Sequence, residues 1–293
     1  MRTFADRSAL LGALLAGDVD VAPSPGLEAD MAATLDRSVG QRSLSALYTQ
    51  SQALVMLRFG SRVGDARVRE AIALAVDRER IGWAVFGGRA RIPSSYLVAP
   101  QWAAIETTEP PHLDRAAARG LMGAAGFGRG NFGIAQRGTD RLVLTLLVPA
   151  GASAMIEAGR GVAADLAILG IAADVSERPP SEIDQRVLRG DFDLALTVES
   201  ADDPLIATER WQGAVSPWSD VLATAAAAEG RTPEGRALYV ELQRLWADAA
   251  PALPLYQVLK VDVVTVRSGG IRPASHSAPL TWDIASWKMV SGR

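Results

Sequence analysis

The sequence predicts an α/β protein whose sheet is covered by helices on both faces, and three observations carry that expectation. Between Arg141 and Val198, apolar extended segments alternate with helix-compatible ones: RLVLTLLV, a helix from Ser153 to Leu169, IAADV, a helix from Ser181 to Leu188, then FDLALTV. Near-continuous apolar strands separated by amphipathic helices are what a sheet buried on both sides requires. Second, Asp65 stands as an N-cap before a run without Gly or Pro until Gly82. There Val68, Ile72, Ala75 and Val76 form one apolar stripe, while Arg67, Arg69, Glu70, Asp77, Arg78 and Arg80 take the wet side. Third, 293 residues with a hydrophobic fraction of 48% and a charged fraction of 22% suffice for one large core or two smaller ones.

In chain order, MRTFADR followed by SALLGALLAG imitates a short export signal. Asp6 in the basic region and the lack of a small-x-small pair argue instead for a helix over Ser8–Leu15, stopped by Gly17 and followed by a strand over Val19–Ala22. Pro23-Ser24-Pro25-Gly26 marks a turn, and a second short helix is expected from Leu27 to Leu35. Residues 44–59, LSALYTQSQALVMLRF, are β-like. After the Asp65 helix come a short apolar turn ending at Phe86, a break at Gly87-Gly88, and an extended run carrying Pro93 and Pro100. A helix over Leu113–Ala125 leads into GFGRGNFG, expected as a flexible connection to the strand Leu142–Val148. Gly170 would cap the helix over Ser153–Leu169, with Leu166, Leu169 and Ile171 sealing it to the sheet. Helices are expected over 219–229 and 234–249, the latter burying Leu238, Leu242, Leu245 and Trp246, with Trp83 also expected in the core. Leu253 to Val266 is β-like, and Trp282 and Trp287 offer packing in the tail.

Several chemistries lack a basis. A net charge of -3 without a basic run gives no surface for nucleic acid, and the absence of Cys rules out disulfides and thiolate chemistry. No apolar run reaches the roughly 18 residues of a membrane span. Gly128, Gly130 and Gly133 spell G-x-G-x-x-G, but a helix precedes them and a strand follows, the reverse of a dinucleotide site. Asp18 and Asp20 alternate at a strand entrance, where a metal site is the less favoured explanation. His112 and His276 have no ligand spacing, and neither a G-x-S-x-G elbow nor a P-loop occurs. No enzyme, metal or cofactor is therefore expected.

Ligands of open α/β sheets bind at the carboxyl ends of strands, so the segment after Val198, Glu199-Ser200-Ala201-Asp202-Asp203-Pro204, is where a site is expected. A carboxylate there can hold an ammonium through a charge-assisted bond. The plainer alternative is an Asp-Asp-Pro turn in which an Asp caps the next segment. Trp211 and Trp218 flank Q-G-A-V-S-P and would either line a cleft or pin a long loop onto the domain.

The string D-x-R-V-R-E-A-I-x-x-A-V-D-R-E-x-I from Asp65, then V-F-G-G-x-A and a Pro-containing loop, resembles the signature of the family 5 extracellular solute-binding proteins, the peptide-, dipeptide- and nickel-binding receptors of ABC importers. Further likenesses are collinear: Leu121, Ala125, Gly126 and Phe127 in the LL-x-x-A-G-F segment, R-G-D-F-D-L-A-L, and R-A-L-Y-V-E-L-Q with P-A-L-P-L-Y. The resemblance implies a periplasmic-binding-protein-like α/β fold (type II, Venus-flytrap), one lobe nearly complete and the other partial. Residues 1–48 would belong to a partial first lobe, 49–259 to the second lobe, and 260–293 to a return to the first. It implies a peptide or other small solute held between lobes, ABC permease subunits as partners, no nucleic acid, and a periplasmic or extracellular place. In peptide-binding members an A-D-x-x-D-P-like string follows the strand, its carboxylate taking the ligand's ammonium while the backbone pairs with the peptide. That role passes to Asp202 first and Asp203 second, with Ser200, Ala201, Trp211 and Trp218 as neighbours. This chain is shorter there and has no aromatic between the two acids. The likeness starts well inside the family's fold, so the chain is expected to be N-terminally truncated and to bind weakly alone. A ligand-sensing domain of a cytoplasmic transcription regulator and an α/β enzyme are the competing functions, and the ligand (peptide, opine or metal chelate) stays open.

Overall fold

The computed structural model describes residues 2–27, 35, 44–105, 112–211, 217–272 and 279–289. Helix α1 (Arg7–Ala16) and strand β1 (Val21–Ala22) are followed by the long strand β2 (Leu44–Phe59). Helices α2 (Ala66–Ala75), α3 (Arg78–Phe86) and α4 (Arg115–Ala124) come next. Short strands β3 (Gly128–Arg129), β4 (Ala135–Arg137) and β5 (Asp140–Arg141) precede β6 (Val143–Pro149), α5 (Ser153–Ile168) and β7 (Ala172–Arg178). Then come α6 (Pro180–Arg189), β8 (Leu194–Glu199), α7 (Pro204–Glu209), α8 (Pro217–Glu229) and α9 (Pro233–Ala249). Strands β9 (Ala252–Thr265), β10 (Ser268–Gly269) and β11 (Lys288–Met289) complete the order. Most of the helix expected over 27–35 lies outside the described residues.

The chain divides into two compact units: residues 1–51, 85–90 and 258–293 form the first, 52–84 and 91–257 the second. In the second unit, Leu54–Phe59 of β2 runs antiparallel to β8, pairing Leu54 with Glu199 and Phe59 with Leu194. Strand β6 lies parallel to both β8 and β7, with Val143 opposite Ala172 and Pro149 opposite Arg178. Alternate residues serve opposite faces. Leu147 and Ala195 are buried with Ile183 of α6, against which Val187 and Phe192 also pack. Their neighbours Val148 and Leu196 face α5, where Gly159 lets the helix sit close: a Cβ there would come within 2.7 Å of Val148 Cγ1. Leu166, Leu169 and Ile171 are buried as expected, and Gly170 (φ +78) takes the left-handed turn out of the helix.

The α2–α3 break follows from one buried carboxylate. Asp65 caps α2, accepting from Arg67 N–H. At Val76 the backbone turns extended (ψ 117), and the freed N–H of Asp77 donates to Asp165 Oδ2 at 2.9 Å. Asp165, on α5, is 3% exposed and also takes Arg80 at 2.8 Å and Arg115 at 3.1 Å. One side chain thus ties the starts of α3 and α4 to α5. A second core joins Leu54, Met56, Tyr96, Trp211, Tyr239 and Trp246, among others, under α7, α8 and α9.

Two expectations fail here. Trp83 is 68% exposed: Ile81, Val85 and Phe86 take the buried side of α3, and two residues beyond Ile81 a helix has turned by about 200°. The glycine-rich segment expected as a flexible connection is a three-stranded antiparallel sheet, β3-β4-β5, closed by Gln136–Arg141 and Gly128–Gln136 pairings.

In the first unit, Asp6 caps α1 and Gly17 (φ 76) ends it. Leu14, Ala22, Leu27 and Val263 form its core, with Leu10 and Leu11 packed alongside. Strand β1 pairs antiparallel with β9, Val21 opposite Val264. Asp20 accepts from Thr265 Oγ1 at 3.0 Å and pairs with Arg267 at 2.9 Å, which occupies a carboxylate considered for metal. Trp287 is half-buried and donates through Nε1 to Asp283 at 2.9 Å, whereas Trp282 is 51% exposed and gives little packing.

Candidate ligand-binding site

Strand β8 is buried through Thr197 and then opens to solvent, with Val198 50% exposed. Glu199 is the pivot. Its Oε1 accepts from Thr197 Oγ1 at 3.0 Å and from Arg58 Nη1 at 3.3 Å, and its Oε2 accepts from Arg210 Nη1 at 3.0 Å. Arg58 comes from the neighbouring strand β2 and lays its guanidinium over the Trp211 ring, 4.3 Å from the centroid. Burial pushes the Arg58 guanidinium below its ordinary value, with the charge and hydrogen bond of Glu199 pulling the other way. The pair therefore stabilises each other's charge where neither has full access to water.

Beyond Glu199 the chain is held by a neighbouring loop. Gln101 donates through Nε2 to the Ala201 carbonyl at 2.9 Å while its Oε1 accepts the Val98 N–H at 2.8 Å. Beneath, the Tyr96 hydroxyl meets Thr208 Oγ1 at 3.0 Å, and burial raises the Tyr96 phenol. Gln52, Tyr96, Gln101, Glu199, Ser200 and Arg210 are among the residues around a recess of only about 10 Å³. That is the space of one water. The recess has no room for a solute.

The residues singled out in sequence take three different places. Ser200 and Asp202 are exposed, Ala201 is partly buried, and Asp202 has no hydrogen bond or ion pair among the described residues. Asp203 is the N-cap of α7, its Oδ1 accepting the Leu205 N–H at 2.8 Å. Trp211 is 4% exposed, inside the aromatic core with Tyr96 and Trp246. Trp218 is the second residue of α8; its side chain lies outside what is described. Arg58, Gln101 and Arg210 did not stand out in sequence. The one available signal was a lone Arg closing the apolar run VMLRF.

The partly parallel α/β sheet is that of the type II periplasmic-binding fold. The sequence model described as "Bacterial extracellular solute-binding proteins, family 5 Middle" matches residues 1–213, and the chain belongs to that family. Among solved structures, NikZ from Campylobacter jejuni, in complex with Ni(L-His), is 18% identical. It aligns over 98% of this chain and 60% of its own, with a TM-score of 0.80. The oligopeptide-binding protein AppA from Bacillus subtilis, in complex with a nonapeptide, is 16% identical over 99% of this chain and 60% of its own, with a TM-score of 0.78. Protein XP55 of Streptomyces lividans is 30% identical over 152 residues, 52% of this chain and 27% of that protein. The chain thus spans about 60% of the length of those solved structures.

Proposed function

We propose that this chain is a substrate-binding component of an ABC importer, gripping a peptide or comparable small solute in a cleft between lobes outside the cytoplasm without transforming it. Family membership supports the class, and the observation that carries the site is Asp202. It is an exposed carboxylate without a partner among the described residues, at the carboxyl end of β8, beside a backbone segment fixed by Gln101. A free carboxylate at this position is suited to an ammonium, and Ser200 with the Ala201 backbone to the polar groups next to it. Asp203 is spent on its helix cap, so its contribution to ligand is secondary. Arg210 keeps part of its guanidinium exposed and suits the solute's anionic end.

The test is calorimetric titration with an equimolar dipeptide pool and, separately, with Ni(L-His). Asp202→Asn is expected to weaken whichever solute binds by about tenfold, the equivalent of ~1.4 kcal/mol. Binding that is indifferent to Asp202→Asn and to Ser200→Ala would place the solute elsewhere and sink this assignment.

A further inference from the structure

The second unit contains a much larger cavity than the recess at Glu199, of about 600 Å³. It lies between α2, the end of α9 and the start of β9, with Phe59, Leu74, Trp246 and Leu253 contributing apolar wall. Its Phe59 wall faces Leu194, the amino end of β8, whereas Glu199 faces Leu54. Five residues of strand place the two ends roughly 17 Å apart. The cavity is therefore separate from the β8 loop, and a ligand held in it is independent of one held there.

Two features mark it as built to hold something. Its size falls within the range of small-molecule pockets, about 300–1,000 Å³. Glu70 and Asp248, which also line the cavity, are exposed carboxylates with no hydrogen bond or ion pair among the described residues. The cations nearby are otherwise engaged: Arg244 pairs with Glu241 at 3.5 Å, and the buried Arg78 donates to the Pro93 and Pro254 carbonyls at 3.2 Å.

We propose that this cavity is a second ligand site, taking an organic ammonium with an apolar body. The apolar body fills the space between Phe59 and Leu253. The ammonium meets Glu70 and Asp248.

Phenylalaninamide has both groups and serves as the probe, titrated calorimetrically into the full chain. Saturable binding below the millimolar range is expected. The double variant Glu70→Gln, Asp248→Asn should weaken it by about tenfold or more, ~1.4 kcal/mol. N-acetylphenylalaninamide, which lacks the charge, should weaken to a similar degree. Ala73→Phe, which places a ring in the cavity, should abolish binding, and Asp202→Asn should leave it unchanged. If Ala73→Phe fails to fold, Ala247→Leu adds bulk at an exposed part of the same lining, with a several-fold loss expected. No saturable heat from the wild-type chain overturns the proposal. So does wild-type affinity in the double variant or in either cavity variant, or loss of binding in Asp202→Asn, which would put the probe at the β8 loop.

Discussion

Asp165 shows how much of this structure depends on single polar side chains set among apolar ones. Replacing it by Ala strands the Asp77 N–H and releases Arg80 and Arg115, whose side chains are 47% and 38% exposed. The exposed arginines regain water, so the dominant cost is the buried N–H. Asp165→Ala should lose about 2 kcal/mol in urea unfolding with an unchanged slope, and Asp165→Asn clearly less, because its amide oxygen can still accept. A second expectation concerns pH. Burial raises the phenols of Tyr96, Tyr239 and Tyr256 above their ordinary value of 10.0. The unfolded chain releases those protons near pH 10 while the native state retains them. Stability is therefore full below about pH 10 and falls as pH rises above it. Native-state phenolate absorbance should accordingly lag behind that of the unfolded chain, and a coincident titration would contradict the assigned burial. In the sequence, Asp165 was visible as an acid in the helical stripe of Met155, Val162 and Leu166, but nothing local named its partners, 50 to 88 residues away. Arg58 was hidden for the same reason, since its partner Glu199 lies 141 residues on.

Elements were legible where a regular apolar period ran long enough to exclude other folds. The strands β6, β7 and β8 and the helices between them appear in the expected order, because β6 and β8 are largely buried and each helix turns one stripe inward. The sheet β3-β4-β5 went unseen, since strands of two or three residues, rich in Gly and Arg, carry no period. Trp83 was misassigned because α3 has only nine residues, too few for composition to reveal which side is covered. At the junction after β2, Gly60 has an ordinary φ of -86 but no room: a Cβ would lie 1.8 Å from the Phe192 carbonyl oxygen. Because the obstacle is backbone, Gly60→Ala must part β2 from the chain leading into β8, costing about 3 kcal/mol or more. Thermal unfolding within a degree of wild type would show that the two segments are not so close in solution.

The whole molecule was legible chiefly through the Asp65–Ala90 string, whose family the match over residues 1–213 bears out. That string builds α2 and α3. Within the second unit, β6 and β8 each have a strand on both sides. Their backbone N–H groups should be the slowest to exchange with deuterated water, those of Leu144–Val148 and Leu194–Glu199 outlasting α1 and β10. Equal protection throughout would mean that the units open together. The first unit is assembled from three stretches, and among the described residues its β1 pairs with β9, with the Asp20–Thr265 bond spanning 245 residues. During synthesis, nearly the entire second unit therefore leaves the ribosome between β1 and the strand it pairs with, so this pairing closes late.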